Sequence, residues 1–423
     1  MIGNWTDIAL QDIISYAIGG DWGYNPEESI DDSTLAYCIR GSEIKEWNKN
    51  RGKTAVIRRI KNSSLENRKL EIGDILLEIS GGGPEQPVGR VLYIDEETIK
   101  TQDNHPIVCT NFFRRLHLND TVCSRYVYYY LHFFYIIGNT ISLQGGSNNL
   151  RNLKFKDYQL IRIPLPSLTE QKQIAEKLDK LFDQIETIKE ASNKIPELLK
   201  NFRQQVLTYA VTGKLTNSDF AHWEKSTIGT IGKVKGGKRL PKGEELVNYN
   251  TGYPYIRARD LKEGTVLKQN IMYLLPETQE KIKNYIVKTN DVYITIVGAK
   301  IGDAGIIPES MNNANLTENA AKITDLSEKI MPQYLSLWLQ APLCQSEIQQ
   351  SIKSAAQGKL ALTRINSLSI CFPPIESQKE IIDKVEYLLG ELKIIESKFY
   401  QLQNILEKLP QALLCKAFKG ELL

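Results

Sequence analysis

The run Gly232-Lys233-Val234-Lys235-Gly236-Gly237-Lys238-Arg239 carries the glycine and lysine spacing of a loop that cradles nucleotide phosphates. That chemistry needs a Ser or Thr at the last position to hold magnesium, and Arg239 stands there instead. No hydrophobic strand leads into the run, so nucleotide binding is not expected. Extended through Leu240-Pro241-Lys242, the same run suits another task. Lys and Arg neutralise backbone phosphates, and glycine lets main chain approach a ligand closely. Comparable clusters hold Lys49, Arg51 and Lys53, then Arg58 and Arg59, then Asn148, Asn149 and Arg151 beside Gly145-Gly146. A further pair is Arg257 and Arg259, and Lys359 follows Gln357-Gly358. Arg, Lys, Asn and Gln also read base edges in the major groove. These residues, with Lys233, Lys235, Lys238, Arg239 and Lys242, are the candidate DNA contacts. For any single one, an ordinary solvated loop is the competing reading.

Catalytic patterns fail one after another. The adenine-methyltransferase tetrapeptide (Asp/Asn)-Pro-Pro-(Tyr/Phe) is absent, because Pro373-Pro374 lies in Cys371-Phe372-Pro373-Pro374-Ile375. No GxGxxG run follows a strand, so a dinucleotide or methyl-donor site has no support. Glu96-Glu97-Thr98-Ile99-Lys100 is the nearest approach to a nuclease motif, and surface charge explains it better. The 4 histidines do not pair at ligand spacing, and the 6 cysteines are scattered without a CxxC pair. That usage fits a reducing cytoplasm with buried thiols. No catalytic residue, metal or cofactor is expected. A net charge of +3 neither demands nor excludes nucleic acid. The N-terminus lacks a secretory pattern. The greasiest stretch, Tyr126 to Ile137, is too short to span a bilayer and reads as a buried helix, with Tyr334 to Leu339 as its counterpart. No membrane association is expected.

The elements that must position these clusters come in two copies. Ile163-Pro164-Leu165-Pro166-Ser167-Leu168-Thr169-Glu170-Gln171 returns 207 residues later as Ile370-Cys371-Phe372-Pro373-Pro374-Ile375-Glu376-Ser377-Gln378. Val206 to Leu215 returns as Leu413 to Leu422 at the same 207-residue spacing. A repeat this long implies a duplicated unit and approximate twofold symmetry. Between its ends, apolar residues fall at Ile174, Leu178, Leu181, Ile185, Ile188, Ile195, Leu199, Phe202 and Val206. The second copy has Ile381, Val385, Leu388, Leu392, Ile395, Phe399, Leu402, Leu406, Leu409 and Leu413. Steps of four and three are the heptad pattern, which predicts two long helices paired as an antiparallel coiled coil. Each stripe would run about 50 Å. Ser167-Leu168-Thr169-Glu170 can cap the first helix, and Gly213 and Gly420 can end the two. Pro196 and Pro410 argue against unbroken rods. Acidic and basic residues balance between Glu170 and Arg203, which suits a spacer and docking surface better than a phosphate grip.

The two remaining pieces are related more faintly. Trp5, Leu10 and Ile13 match Trp223, Ile228 and Ile231. Ile39-Arg40-Gly41-Ser42-Glu43-Ile44 matches Ile256-Arg257-Ala258-Arg259-Asp260-Leu261, and Gly73-Asp74-Ile75 matches Asn290-Asp291-Val292, both 217 residues apart. The first piece therefore carries about ten extra residues ahead of its helix. Two modules of one mixed α/β fold with diverged surfaces are expected, at 1–166 and 214–373, with helical spacers at 167–213 and 374–423.

This layout resembles the specificity (S) subunit of type I restriction–modification systems. The resemblance rests on the helix starts Pro164-Leu165-Pro166-Ser167-Leu168-Thr169-Glu170-Gln171 and Phe372-Pro373-Pro374-Ile375-Glu376-Ser377-Gln378. It rests equally on the helix ends Leu207-Thr208-Tyr209-Ala210-Val211-Thr212-Gly213-Lys214-Leu215 and Leu414-Cys415-Lys416-Ala417-Phe418-Lys419-Gly420-Glu421-Leu422. Ser377 stands where the family usually has Glu. The resemblance implies an α+β protein with two target-recognition domains, each reading one half of a split double-stranded DNA site. The paired helices would set the gap and dock two methyltransferase (M) subunits, with restriction (R) subunits joining the full complex. Methyl donor and ATP would be bound by those partners. A non-catalytic scaffold with two protein-binding adaptors is the alternative, and a methyltransferase or nuclease fused to its own reader lacks the signatures it would need.

Overall fold

The computed structural model describes residues 5–83, 86–100, 105–147, 150–217, 219–353 and 358–423. Asn148, Asn149 and Gln357 lie outside them. The chain divides into two compact units, one of Met1–Ser192 with Gln401–Leu423, the other of Asn193–Tyr400. Among the described residues no helix is long and apolar enough to cross a membrane.

The first unit closes on itself through its ends. Strand Thr6–Ala9 pairs antiparallel with Arg162–Leu165, in the register Thr6 to Leu165. Behind this pair lies a four-stranded antiparallel sheet in the order Ile14–Gly19, Phe113–Leu118, Ile75–Glu78, Val91–Tyr93. A three-stranded sheet runs Val56–Lys61, Ser33–Ile39, Ile107–Cys109, its last pair parallel. The strand Ile75–Glu78 shows why its sequence is an aliphatic run rather than an alternation. Ile75 and Leu77 face the core built on Tyr126 and Leu131, while Leu76 faces a second core around Ile39 and Trp47. Successive side chains leave a strand on opposite faces, so a strand covered on both must be apolar throughout.

The second unit repeats this plan. Glu224–Thr227 pairs antiparallel with Ser369–Phe372. Its four-stranded sheet runs Lys233–Gly236, Ala320–Thr324, Val292–Thr295, Ala304–Ile306. Its three-stranded sheet runs Met272–Tyr273, Pro254–Ile256, Asn315–Leu316, again with the last pair parallel. Val292 and Ile294 face the core of Tyr334 and Trp338, and Tyr293 faces the opposite one. The two greasy segments are the helices Ser124–Ile136 and Pro332–Gln340. Tyr126 donates to the Pro164 carbonyl at 2.6 Å and Tyr334 to that of Cys371 at 2.9 Å.

The repeated segments form a long helix pair. Leu168–Ser192 and Ile195–Val211 are separate helices, and Ile375–Phe418 is continuous. The two prolines therefore act differently. Pro196 occupies the first turn of a new helix, where its missing N–H costs nothing, whereas Pro410 sits inside a helix that carries on past it. Glu170 N donates to Ser167 Oγ at 3.3 Å, the expected cap. Gly213 and Gly420 have φ of 76° and 71°, the left-handed geometry that ends a helix. In the first unit Gln403 Nε2 donates to Ser192 Oγ at 3.0 Å and Lys177 Nζ to the Leu422 carbonyl at 2.6 Å, so those segments run antiparallel. Ile174, Leu178, Ile185, Val206, Ile381, Val385, Leu392 and Leu406 are buried. Leu181, Ile195, Leu199, Leu388, Phe399, Leu402, Leu409 and Leu413 are half-buried. Ile188, Phe202 and Ile395 differ from the stripe's expectation and stand exposed, at 44%, 42% and 51%. Both helix starts are locked by one side chain. Gln171 accepts from Cys123 N and donates to the Pro166 carbonyl, both at 2.9 Å. Gln378 accepts from Met331 N at 2.9 Å and donates to the Pro373 carbonyl at 2.8 Å.

Candidate nucleic-acid interface

Lys233–Gly236 is an edge strand paired with Ala321–Thr324, not a loop. Lys233 and Lys235 share its exposed face by the period-two rule. The chain then turns at Gly237, where a Cβ would lie 2.0 Å from the Thr317 carbonyl oxygen and 2.5 Å from that of Leu316. Gly20 makes the same approach in the first unit, 2.2 Å from the carbonyl oxygens of Cys109 and Thr110. Only glycine fits either place, which is the close approach expected of this run, although the neighbour is the protein's own backbone.

The candidate cations fall into three groups. Some brace the fold. Arg58 lies 4.3 Å over the Trp22 ring and donates to the Trp22 carbonyl at 3.0 Å and to Asn25 Oδ1 at 2.7 Å. Arg59 donates to the Pro26 carbonyl at 2.9 Å, and Arg51 lies 3.2 Å from Asp95. Arg151 stands in a hairpin strand opposite Gly81. Others hold exposed ion pairs. Lys233 lies 3.2 Å from Asp325, and its hydrogen bond holds that carboxyl below its ordinary value. Arg239 lies 2.8 Å from Glu318; partial burial raises the Glu318 carboxyl, but the Arg239 hydrogen bond outweighs it and the net shift is downward. Exposed pairs contribute little, so both cations are free to exchange a carboxylate for a phosphate at small cost. Lys238 lies 5.4 Å from the Tyr285 ring centre. Among the described residues, the side chains of Lys49, Lys53, Lys235, Lys242, Arg259 and Lys359 are exposed and have no protein partner.

Arg257 belongs to none of these surfaces, and its counterpart Arg40 explains why. In each unit a strand ends in Ile-Arg and a single tight turn follows. Arg40 donates from its main-chain N to Glu43 Oε2 at 2.5 Å and from Nη2 to Oε1 at 2.7 Å. Arg257 donates from N and Nε to Asp260 Oδ2 at 2.9 and 2.8 Å, and from Nη2 to Oδ1 at 2.9 Å. Each guanidinium also reaches a carbonyl across the next loop, Thr54 at 3.2 Å and Asn270 at 2.5 Å. Both carboxylates are buried, at 4%. Deeper in each unit a second pairing repeats. Arg115 Nε donates to Asp74 at 2.6 Å, and Lys322 Nζ to Asp291 at 2.9 Å. Buried pairs of this kind hold geometry, and breaking one leaves a charge stranded.

Beside the Arg257 bracket lies an open cavity of about 720 Å³, lined by Asn248, Arg259, Lys262, Gln269 and Asn270 among others. It brings Arg257 and Arg259 together. The Lys238–Lys242 stretch and Lys359 do not line it. Asn248, Lys262 and Gln269 were not among the sequence candidates. The signal that points to them is the 217-residue match at Arg40 and Arg257, which marks the turn they flank. Among the described residues there is no cluster of His, Cys, Asp and Glu that could hold a metal ion.

Comparison with known proteins gives a consistent answer. The family model described as the type I restriction modification DNA specificity domain matches residues 36–197 and 221–404. The EcoBI specificity subunit of a type I restriction enzyme from Escherichia coli is 33% identical over 72% of this chain and 69% of its own length. The StySPI specificity subunit from Salmonella potsdam is 29% identical over 86% of this chain and 77% of its own. The crystal structure of an HsdS subunit from Thermoanaerobacter tengcongensis shares the fold, with a TM-score of 0.66 at 16% identity, covering 99% of this chain and 97% of that one.

Proposed function

This chain belongs to the type I restriction modification DNA specificity family, and from that premise we propose how it divides its work. It is the sequence-specificity subunit of a type I restriction–modification complex, with two recognition domains, and it does no catalysis itself. It binds DNA and assembles with other subunits. Each recognition domain reads one half of a bipartite double-stranded site. The first domain takes residues 1–166 and the second 214–373, and the segments 167–213 and 374–423 form the spacer between them. The spacer is an antiparallel coiled coil that gives the molecule approximate twofold symmetry, sets the gap between half-sites and docks two methyltransferase subunits. Restriction subunits join that assembly, and the complex works in the cytoplasm.

The observation that carries this reading is the repeated framework. Gly20 and Gly237, Arg40 and Arg257, Asp74 and Asp291, Gln171 and Gln378 hold matching places in the two units. Duplicated frames with different exposed cations are what two readers of unlike half-sites require. Lys53 and Lys49 in the first unit, and Lys235, Lys238, Arg239 and Lys242 in the second, are the phosphate contacts. The test is binding of the complex with its methyltransferase partner to target DNA across a salt series. Phosphate contacts release counterions, so the logarithm of affinity should fall linearly with the logarithm of salt, by about 0.9 per contact. Salt-insensitive association would favour an adaptor that binds protein.

A further inference from the structure

The Arg257 and Arg40 brackets are one device, and what is mounted on them differs. In the first unit the turn presents Ser42, whose hydroxyl donates to Glu43 Oε1 at 3.2 Å. In the second unit the same turn position is Arg259. The carboxylate of Asp260 could have neutralised Arg259, but both of its oxygens already accept from Arg257. No other carboxylate lines the cavity. Among the described residues Arg259, Lys262, Gln269 and Asn248 have no hydrogen-bond or ionic partner. The loop that bears Gln269 is tied to the bracket through the Asn270 carbonyl. Unsatisfied donors are therefore held around an open cavity by a rigid, buried clamp.

From this arrangement we infer that the cavity of the second unit reads purine edges in the DNA major groove. Arg259 recognises a guanine, Gln269 and Asn248 supply the amides beside it, and Arg257 is the positioning residue. The chemistry follows from the donors. A guanidinium fork matches the O6 and N7 acceptors of guanine, and an amide matches the N7 and N6 pattern of adenine. Preorganisation by the bracket lowers the ordering cost of the long Arg259 side chain. Ser42 offers no fork, so the first unit reads a different pattern from the same frame. The inference rests on the reading that each unit takes one half-site.

The experiment uses the full chain in complex with its methyltransferase partner and a library of randomised sites, scored by methylation. Arg259→Ala should relax one guanine-containing base pair in one half-site, with discrimination there falling roughly ten-fold or more. The other half-site should be read as before. Arg259→Lys keeps the charge and loses the fork, so it should relax the same base pair. Arg259 is exposed, and a melting curve matching wild type would confirm that the fold is intact. Two results overturn the inference: an unchanged preference in Arg259→Ala, or a uniform loss over all sequences that Arg259→Lys restores, which is phosphate contact alone. If the wild-type complex shows no split site at all, the division into two half-site readers has failed before the pocket is tested.

Discussion

Gly20 and Gly237 test at single-residue scale whether the two units share one frame. A methyl at Gly237 would meet carbonyl oxygens at 2.0 and 2.5 Å, and the residue cannot step aside because its N–H donates to the Ala320 carbonyl at 3.0 Å. Gly237→Ala should cost at least about 1–3 kcal/mol, the usual penalty of overpacking. Hydrogen exchange should show lost protection within Asn193–Tyr400 while Met1–Ser192 keeps its own, and Gly20→Ala should do the reverse. Equal weakening of both units by either variant would contradict independent frames. At this scale the sequence shows composition better than role. Arg257 and Arg259 look alike as neighbours in a basic pair, yet one is a buried brace and the other an open donor. Asp260 decides between them, because the tight turn brings it back onto the residue three before it and not onto its immediate neighbour. The legible signal was Arg-x-x-Glu in one unit against Arg-x-x-Asp in the other, 217 residues apart. Lys233 and Lys235 read as loop residues because glycines surround them; a long-range pairing with Lys322 and Thr324 makes them a strand.

The helices were the most legible elements, since heptad spacing, caps and terminal glycines all lie in short windows of sequence. The break after Ser192 was signalled by Pro196, but the same signal at Pro410 marks no break. A proline's effect depends on whether a helix can begin there, and packing on both sides of Pro410 holds the helix through it. The ten extra residues of the first module fall between Ile79 and Ile107, since strands before that stretch match at 217 and those after it at 207. The break also refines how the spacer is tested. Four residues inserted at Lys194 would enter a non-helical step and be absorbed there. Four residues inserted beside Ser192 and four beside Gln403, which are bonded to each other, lengthen both helices together. That adds about 6 Å, or roughly two base pairs of DNA. The recognised gap should widen by that amount with both half-sites unchanged, as read by methylation mapping. An unchanged gap would remove the spacer role.

At the scale of the molecule, the duplicated plan is what the amino-acid sequence displays most openly, because whole motifs return at fixed distance. How each unit is assembled was not visible. The first unit draws its core from both ends of the chain, with Phe418 against Tyr126 and Phe133, and the second is one uninterrupted segment. Such closure depends on contacts hundreds of residues apart, which no local pattern records. Two frames of one design carrying different exposed donors call for a target in two unlike parts. The direct measurement is to sequence every methylated site in DNA from cells that carry this chain and its methyltransferase partner. The account predicts one asymmetric motif made of two short specified halves around an unspecified gap of constant length. A single unbroken motif, or a gap that varies from site to site, would contradict it.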